Sequence, residues 1–157
     1  MIGLVAMLLA CASGPPQGLV QELSAIHDVP PLSELSTRYP EVEQHLVAIA
    51  QDRRMGPIAR DRAWALLATS AEVDVATHAV HAVADPEVPD TTRYKMLVRL
   101  ASHHPHLARE LVPAADCDDS RTLQKAARTA RATLEASNVL VDPASCHTEA
   151  SGSPDPE

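Results

Sequence analysis

The chain has 157 residues, a formal net charge of −8 at pH 7, no Phe, one Trp (Trp64) and two Tyr (Tyr39 and Tyr94). That length allows one domain, and the acidic balance, with no dense basic run, excludes nucleic acid as a bulk partner. Ala, Val and Leu must fill the core; such small side chains let helices approach to ~8–10 Å between axes, and no sustained alternation marks a strand, so the expected fold class is all-α.

Residues 2–10 form an uncharged apolar run that ends in Leu8-Leu9-Ala10-Cys11. As a helix this run spans about 14 Å, at ~1.5 Å per residue. A bilayer core needs roughly 20 residues, so the run is too short to cross one. It has the length of a signal-peptide h-region, and Ala10 is the small residue that a cleavage site requires. Leu8-Leu9-Ala10-Cys11 resembles the lipobox of bacterial lipoproteins. The resemblance implies that residues 1–10 are a signal peptide and that Cys11 carries the lipid and becomes the mature N-terminus. Residues 11–18, rich in Gly and Pro, are then a tether. Two or more acyl chains hold a protein on a membrane stably where one does not, at ~0.8 kcal/mol per buried methylene. The implied attachment is therefore permanent. Ala12 stands where an Asp favours inner-membrane retention, which turns the expectation towards the outer membrane, facing the periplasm.

Leu19, Leu23 and Ile26 form a short helical face, Pro30-Pro31 breaks it, and residues 32–38 make another short helix. This pair reads as an atypical N-terminal cap. Pro40 opens the first helix of the main array, with Val42, Leu46, Ile49 and Ala50 on one face, ending near Asp52. Gly56-Pro57 starts the second, with Ala59, Ala63, Leu66 and Leu67 inside and Trp64 at the border. Glu72 and Asp74 begin the third and complement its positive end; its expected face is Val73, Ala76, Val80 and Val83. Tyr94, Leu97, Val98 and Ala101 stripe the fourth, which ends at His104-Pro105. A shorter fifth runs from His106 to about Ala114. Asp118-Asp119-Ser120 caps the sixth, with Leu123, Ala127, Ala130 and Leu134 inside.

Asp52, Asp85 and Asp118 are spaced by 33 residues, as are Arg60 and Arg93, and Leu67 and Leu100. Two helices per period of that length point to a short α-solenoid. Ala84-Asp85-Pro86-Glu87-Val88, followed by Arg93, Leu97 and Ala101, resembles the HEAT repeat, over about residues 40–137. The domain expectation is a HEAT-like helical domain over residues 19–137, followed by a compositionally disordered tail over 138–157.

Charge alternates along this array. The second, fourth and sixth helices hold nine of the thirteen Lys and Arg residues, among them Arg93, Lys95 and Arg99. The first and third begin with Glu41, Glu43, Glu72 and Asp74. Alternate helices of a solenoid line opposite faces, so one surface is expected basic and the other acidic with histidines. By the HEAT resemblance the basic helices are the convex set and the concave surface shows Asp74, His78 and His81. Balancing of charge between neighbouring helices accounts for the same pattern with no partner at all.

No local motif for a nucleophile, a phosphate loop or a zinc protease occurs, so the chain reads as a non-enzyme with no cofactor. Asp74, His78 and His81, at i, i+4 and i+7, are the best but weak metal candidate, and a solvated polar face explains them better. His103, His104 and His106 flank a Pro at a helix end, where imidazolium complements the helix dipole. With Cys11 lipidated, Cys117 and Cys146 are an even pair, 29 residues apart. They either bridge in an oxidising compartment or are two unrelated thiols. The functional expectation is a membrane-anchored interaction module of the cell envelope whose partner is an unidentified envelope protein. Two alternatives stay open: an extracytoplasmic metal- or pH-responsive binding protein using Asp74, His78 and His81, and a cytosolic HEAT-like scaffold.

Overall fold

The computed structural model describes residues 14–142, which hold eight α-helices and no strand. They are α1 (Gln17–Ser24), α2 (Leu32–Arg38), α3 (Val42–Gln51), α4 (Pro57–Leu67), α5 (Val73–Ala84), α6 (Asp90–His103), α7 (Pro105–Asp116) and α8 (Arg121–Ala136). The expected all-α class holds. None of these helices is long and apolar enough to cross a membrane. The signal-peptide and lipidation expectations on residues 1–11, and Cys146, lie outside the described residues.

Consecutive helices pack as neighbours: α3 on α4, α5 on α6, α7 on α8. Between pairs, α4 contacts α6, α6 lies extensively on α8, and α5 contacts α7. One core of Leu, Val and Ala runs from Leu19 in α1 to Leu134 in α8. The three turns within the pairs are built alike. In each, an Asp carboxylate accepts the main-chain N–H two residues on: Arg54 to Asp52 Oδ1 at 2.9 Å, Glu87 to Asp85 Oδ1 at 2.8 Å, and Ser120 to Asp118 Oδ1 at 2.8 Å. Asp makes this closure because its short side chain reaches its own backbone and so competes with helix continuation. In the first two turns an Arg of the following helix also reaches back to the end of the preceding one. Arg60 Nε donates to the Ala50 carbonyl at 3.2 Å, and Arg93 Nε to the Val83 carbonyl at 2.7 Å.

Several local expectations change. Pro40 sits in the turn before α3, whose N-cap residue Glu41 is left-handed at φ 54°. Ser120 is the N-cap of α8, but its side chain makes no cap bond; its Oγ donates to Asp90 of α6 at 2.5 Å instead. Val73 is 56% exposed and does not belong to the buried face of α5, which is Ala76, Ala79, Ala82 and Val83. α4 is buried nearly all round from Ala63 to Ala68, Trp64 included, because α1 covers a side that the sequence leaves open. α7 runs on to Asp116 through Pro113. Residues 138–141, expected to begin the tail, are ordered against the domain. Asn138 (φ 59°) is the left-handed residue of a Schellman end to α8, in which Val139 N–H bonds to the Leu134 carbonyl at 2.9 Å and Asn138 N–H to that of Glu135 at 3.0 Å. Val139 and Val141 then pack on the core.

Candidate functional site

A cleft of about 750 Å³ opens between the α1–α2 connection and the exposed flanks of α4 and α6. Its outer wall is Asp28-Val29-Pro30-Pro31-Leu32, and its floor is Ala65, Leu66 and Thr69 of α4 and the segment after it. Two prolines fix φ and hold this wall extended; Pro31 has φ −62° and ψ 155°. The opposite wall carries Lys95, Arg99 and His103, with Arg62 and Asp61 from α4. Lys95, Arg99 and His103 follow at i, i+4 and i+8, so one flank of α6 presents all three.

The electrostatics of this wall follow from its hydrogen bonds. Asp61 is fully occupied: Lys95 Nζ reaches Oδ2 at 2.5 Å and Thr92 Oγ1 donates to Oδ1 at 2.7 Å. Arg62 and Arg99 bond differently. Arg62 Nη1 donates to the Leu23 carbonyl at 3.2 Å and to that of Ala25, closing the C-terminal end of α1. Arg99 Nη1 donates to the Ala65 carbonyl at 3.4 Å. Among the described residues neither guanidinium pairs with a carboxylate, so each keeps its full charge at the cleft. His103 is exposed beside them. The lining thus holds Arg62, Lys95 and Arg99 against Asp28 and Asp61, a small positive excess in a chain of net charge −8.

A polar cluster around Ser70 ties together the helix junctions next to this cleft. Ser70, wholly buried after α4, donates its hydroxyl to Glu43 of α3 and accepts Glu72 N–H at 3.0 Å. Its carbonyl accepts the His104 ring N–H at 2.5 Å. His104 therefore ties the α6–α7 junction to the α4–α5 junction, a different task from the dipole capping expected of it.

The other residues singled out from sequence lie elsewhere. Asp74, His78 and His81 are exposed on α5. Among the described residues no three His, Cys, Asp or Glu side chains form a group that would hold a metal ion. Arg93, expected on an interaction surface, is only 9% exposed. Its guanidinium bonds to Asp90 at 3.3 Å and Asp118 at 3.2 Å besides the Val83 carbonyl, which makes it an internal clamp. Cys117 stands at the end of α7 and is disulfide-bonded. Lys95 and Arg99 alone of the expected surface residues meet in the cleft. Sequence reasoning missed Arg62 and His103 as their companions. The spacing of His103 from Arg99 was a readable signal; the wall contributed by the α1–α2 connection had none.

No protein-family description, curated protein or solved structure matches this chain.

Proposed function

We propose that this chain is a lipid-anchored interaction module of the cell envelope, built as a short HEAT-like solenoid and using the cleft beside α6 to hold a protein partner. Its three helix pairs, α3–α4, α5–α6 and α7–α8, are the repeats, and α1–α2 is the N-terminal cap. The likeness of the Asp52, Asp85 and Asp118 turns supports the repeat, since the same bond recurs at the 33-residue spacing. The observation that carries the binding role is the pair of guanidiniums, Arg62 and Arg99, held at an open cleft by carbonyls rather than by carboxylates. Groups held in place with unspent charge suit recognition.

The anchor rests on the lipobox-like Leu8-Leu9-Ala10-Cys11. Metabolic labelling with palmitate, followed by membrane fractionation, tests it. The wild type takes label and sediments with membranes; Cys11→Ser does neither. An unlabelled, freely diffusing wild type refutes the anchor and the location together.

A further inference from the structure

We propose that the cleft takes a carboxylate-rich segment of a partner protein in extended conformation. The proposal rests on the reading of this domain as an interaction module and specifies the chemistry of its partner.

The argument is one of charge and spacing. Arg62 and Arg99 carry charge that no carboxylate of the described residues neutralises, and His103 adds a third group on the same side. Arginine at such a site favours carboxylate or phosphate, which its planar fork meets with two parallel bonds. The arrangement of the groups then separates these ligands. Lys95 is held by Asp61, so the open groups on this flank of α6 are Arg99 and His103, which stand about 6 Å apart at a rise of ~1.5 Å per residue. They do not converge on a point, as a single phosphate requires. An extended peptide places alternate side chains about 6.6–6.8 Å apart. Acidic residues at every second position therefore keep step with the two groups. The intervening side chains face the opposite wall, where Val29, Pro30, Pro31 and Leu32 offer an apolar surface. Asp28 and Asp61 also line the cleft; Asp61 is already satisfied by Lys95 and Thr92, and Asp28 lies on the exposed outer wall.

The test uses the full chain and a fluorescein-labelled hexapeptide of alternating glutamate and alanine, read by fluorescence anisotropy at low salt. Expected is a preference of about tenfold over the same peptide with glutamine for glutamate. Arg99→Gln weakens the glutamate peptide about fivefold, and Arg99→Glu abolishes the preference. His81→Gln, on the exposed face of α5, leaves binding unchanged. Arg99 is exposed, so its variants melt as the wild type does in circular dichroism, which separates lost binding from lost fold. Three results overturn the proposal. One is equal binding of the two peptides. Another is inorganic phosphate competing as strongly as the glutamate peptide. The last is Arg99-dependent binding to phosphatidylglycerol vesicles, with no glutamate preference, which assigns the charge to a lipid surface. None of these outcomes touches the palmitate result, and a chain without lipid can still bind the peptide.

Discussion

Arg93 of α6 and Asp118 of the α7–α8 turn meet at 3.2 Å, joining the second helix pair to the third. The same guanidinium closes its own pair through the Val83 carbonyl. One side chain therefore links the end of α5, the start of α6 and the α7–α8 turn. Its near-complete burial makes its loss costly at the Val83 carbonyl above all, since Asp90 and Asp118 keep some access to solvent.

Arg93→Ala should cost about 2–4 kcal/mol in urea unfolding, since it leaves a carbonyl and part of two carboxylates without their donor. Arg93→Lys should recover little of this, because a point ammonium cannot reach three acceptors that a planar fork meets at once. Arg60→Ala, which removes the equivalent bond to Ala50 but no ion pair, should cost only about 1 kcal/mol. Equal losses at the two positions would show that the link to Asp118 contributes nothing.

The buried face of α5 gives a second check. Val73 is largely exposed, whereas Ala79 has no exposed surface. Val73→Ala should change stability by less than about 0.5 kcal/mol. Ala79→Leu should destabilise by about 1–3 kcal/mol, since added methylenes have no space to enter. A large loss at Val73 would restore the face that hydrophobicity alone selects.

That face shows where the sequence was legible and where it was not. Periodicity and Pro or Gly punctuation located every helix of the main array, because Gly56-Pro57, Pro86 and His104-Pro105 fall between helices or at their first residue, while Pro113 lies inside α7 and ends nothing. Periodicity placed Ala76 and Val83 of α5 inside, where they are, but chose Val73 and Val80 over Ala79 and Ala82, the smaller residues that pack closely. The even spacing of Asp52, Asp85 and Asp118 was visible in the sequence; that each closes its turn through a carboxylate became visible only with the backbone geometry. At the cleft, Lys95 and Arg99 were legible as exposed cations. Arg93, two residues before Lys95, looked the same in sequence and is a clamp, because charge type says nothing about which side of a helix meets a neighbour. The Pro30-Pro31 wall comes from a segment more than sixty residues away from Lys95 in the chain, beyond the reach of any local pattern.

The Asp52 turn predicts a pH dependence. Arg54 donates from its side chain and its main chain to Asp52, and these bonds hold the carboxyl below its ordinary range. A carboxyl whose folded pKa is lowered stabilises the fold above its unfolded pKa, and that stabilisation is lost as pH falls through the folded value. Asp52→Asn keeps an oxygen for Arg54 N–H but removes the charge. The urea midpoints of wild type and Asp52→Asn should differ by a constant amount near neutrality and converge below about pH 4. Arg54 is almost wholly exposed, so the difference at neutral pH should also shrink in high salt. A difference that persists in acid would place the effect in the shape of the turn rather than in its charge.

Cys117 provides the last prediction. It closes α7 at the turn that also holds Asp118, and it is disulfide-bonded. Pairing with Cys146 is the arrangement expected if Cys11 carries lipid, as only three cysteines exist. Such a bridge would fasten the segment beyond Val141 back onto the α7–α8 turn, next to the clamp formed by Arg93. Non-reducing peptide mapping by mass spectrometry should find one fragment joining Cys117 to Cys146. Cys146→Ser should then destabilise the oxidised protein by about 3–4 kcal/mol, in the loop-entropy account of a bridge of this length. The same variant should match wild type once both are reduced, because neither then has a closed loop. A fragment joining Cys117 to Cys11 would instead leave no thiol at the lipobox-like site for acylation, and the anchor would fall with it.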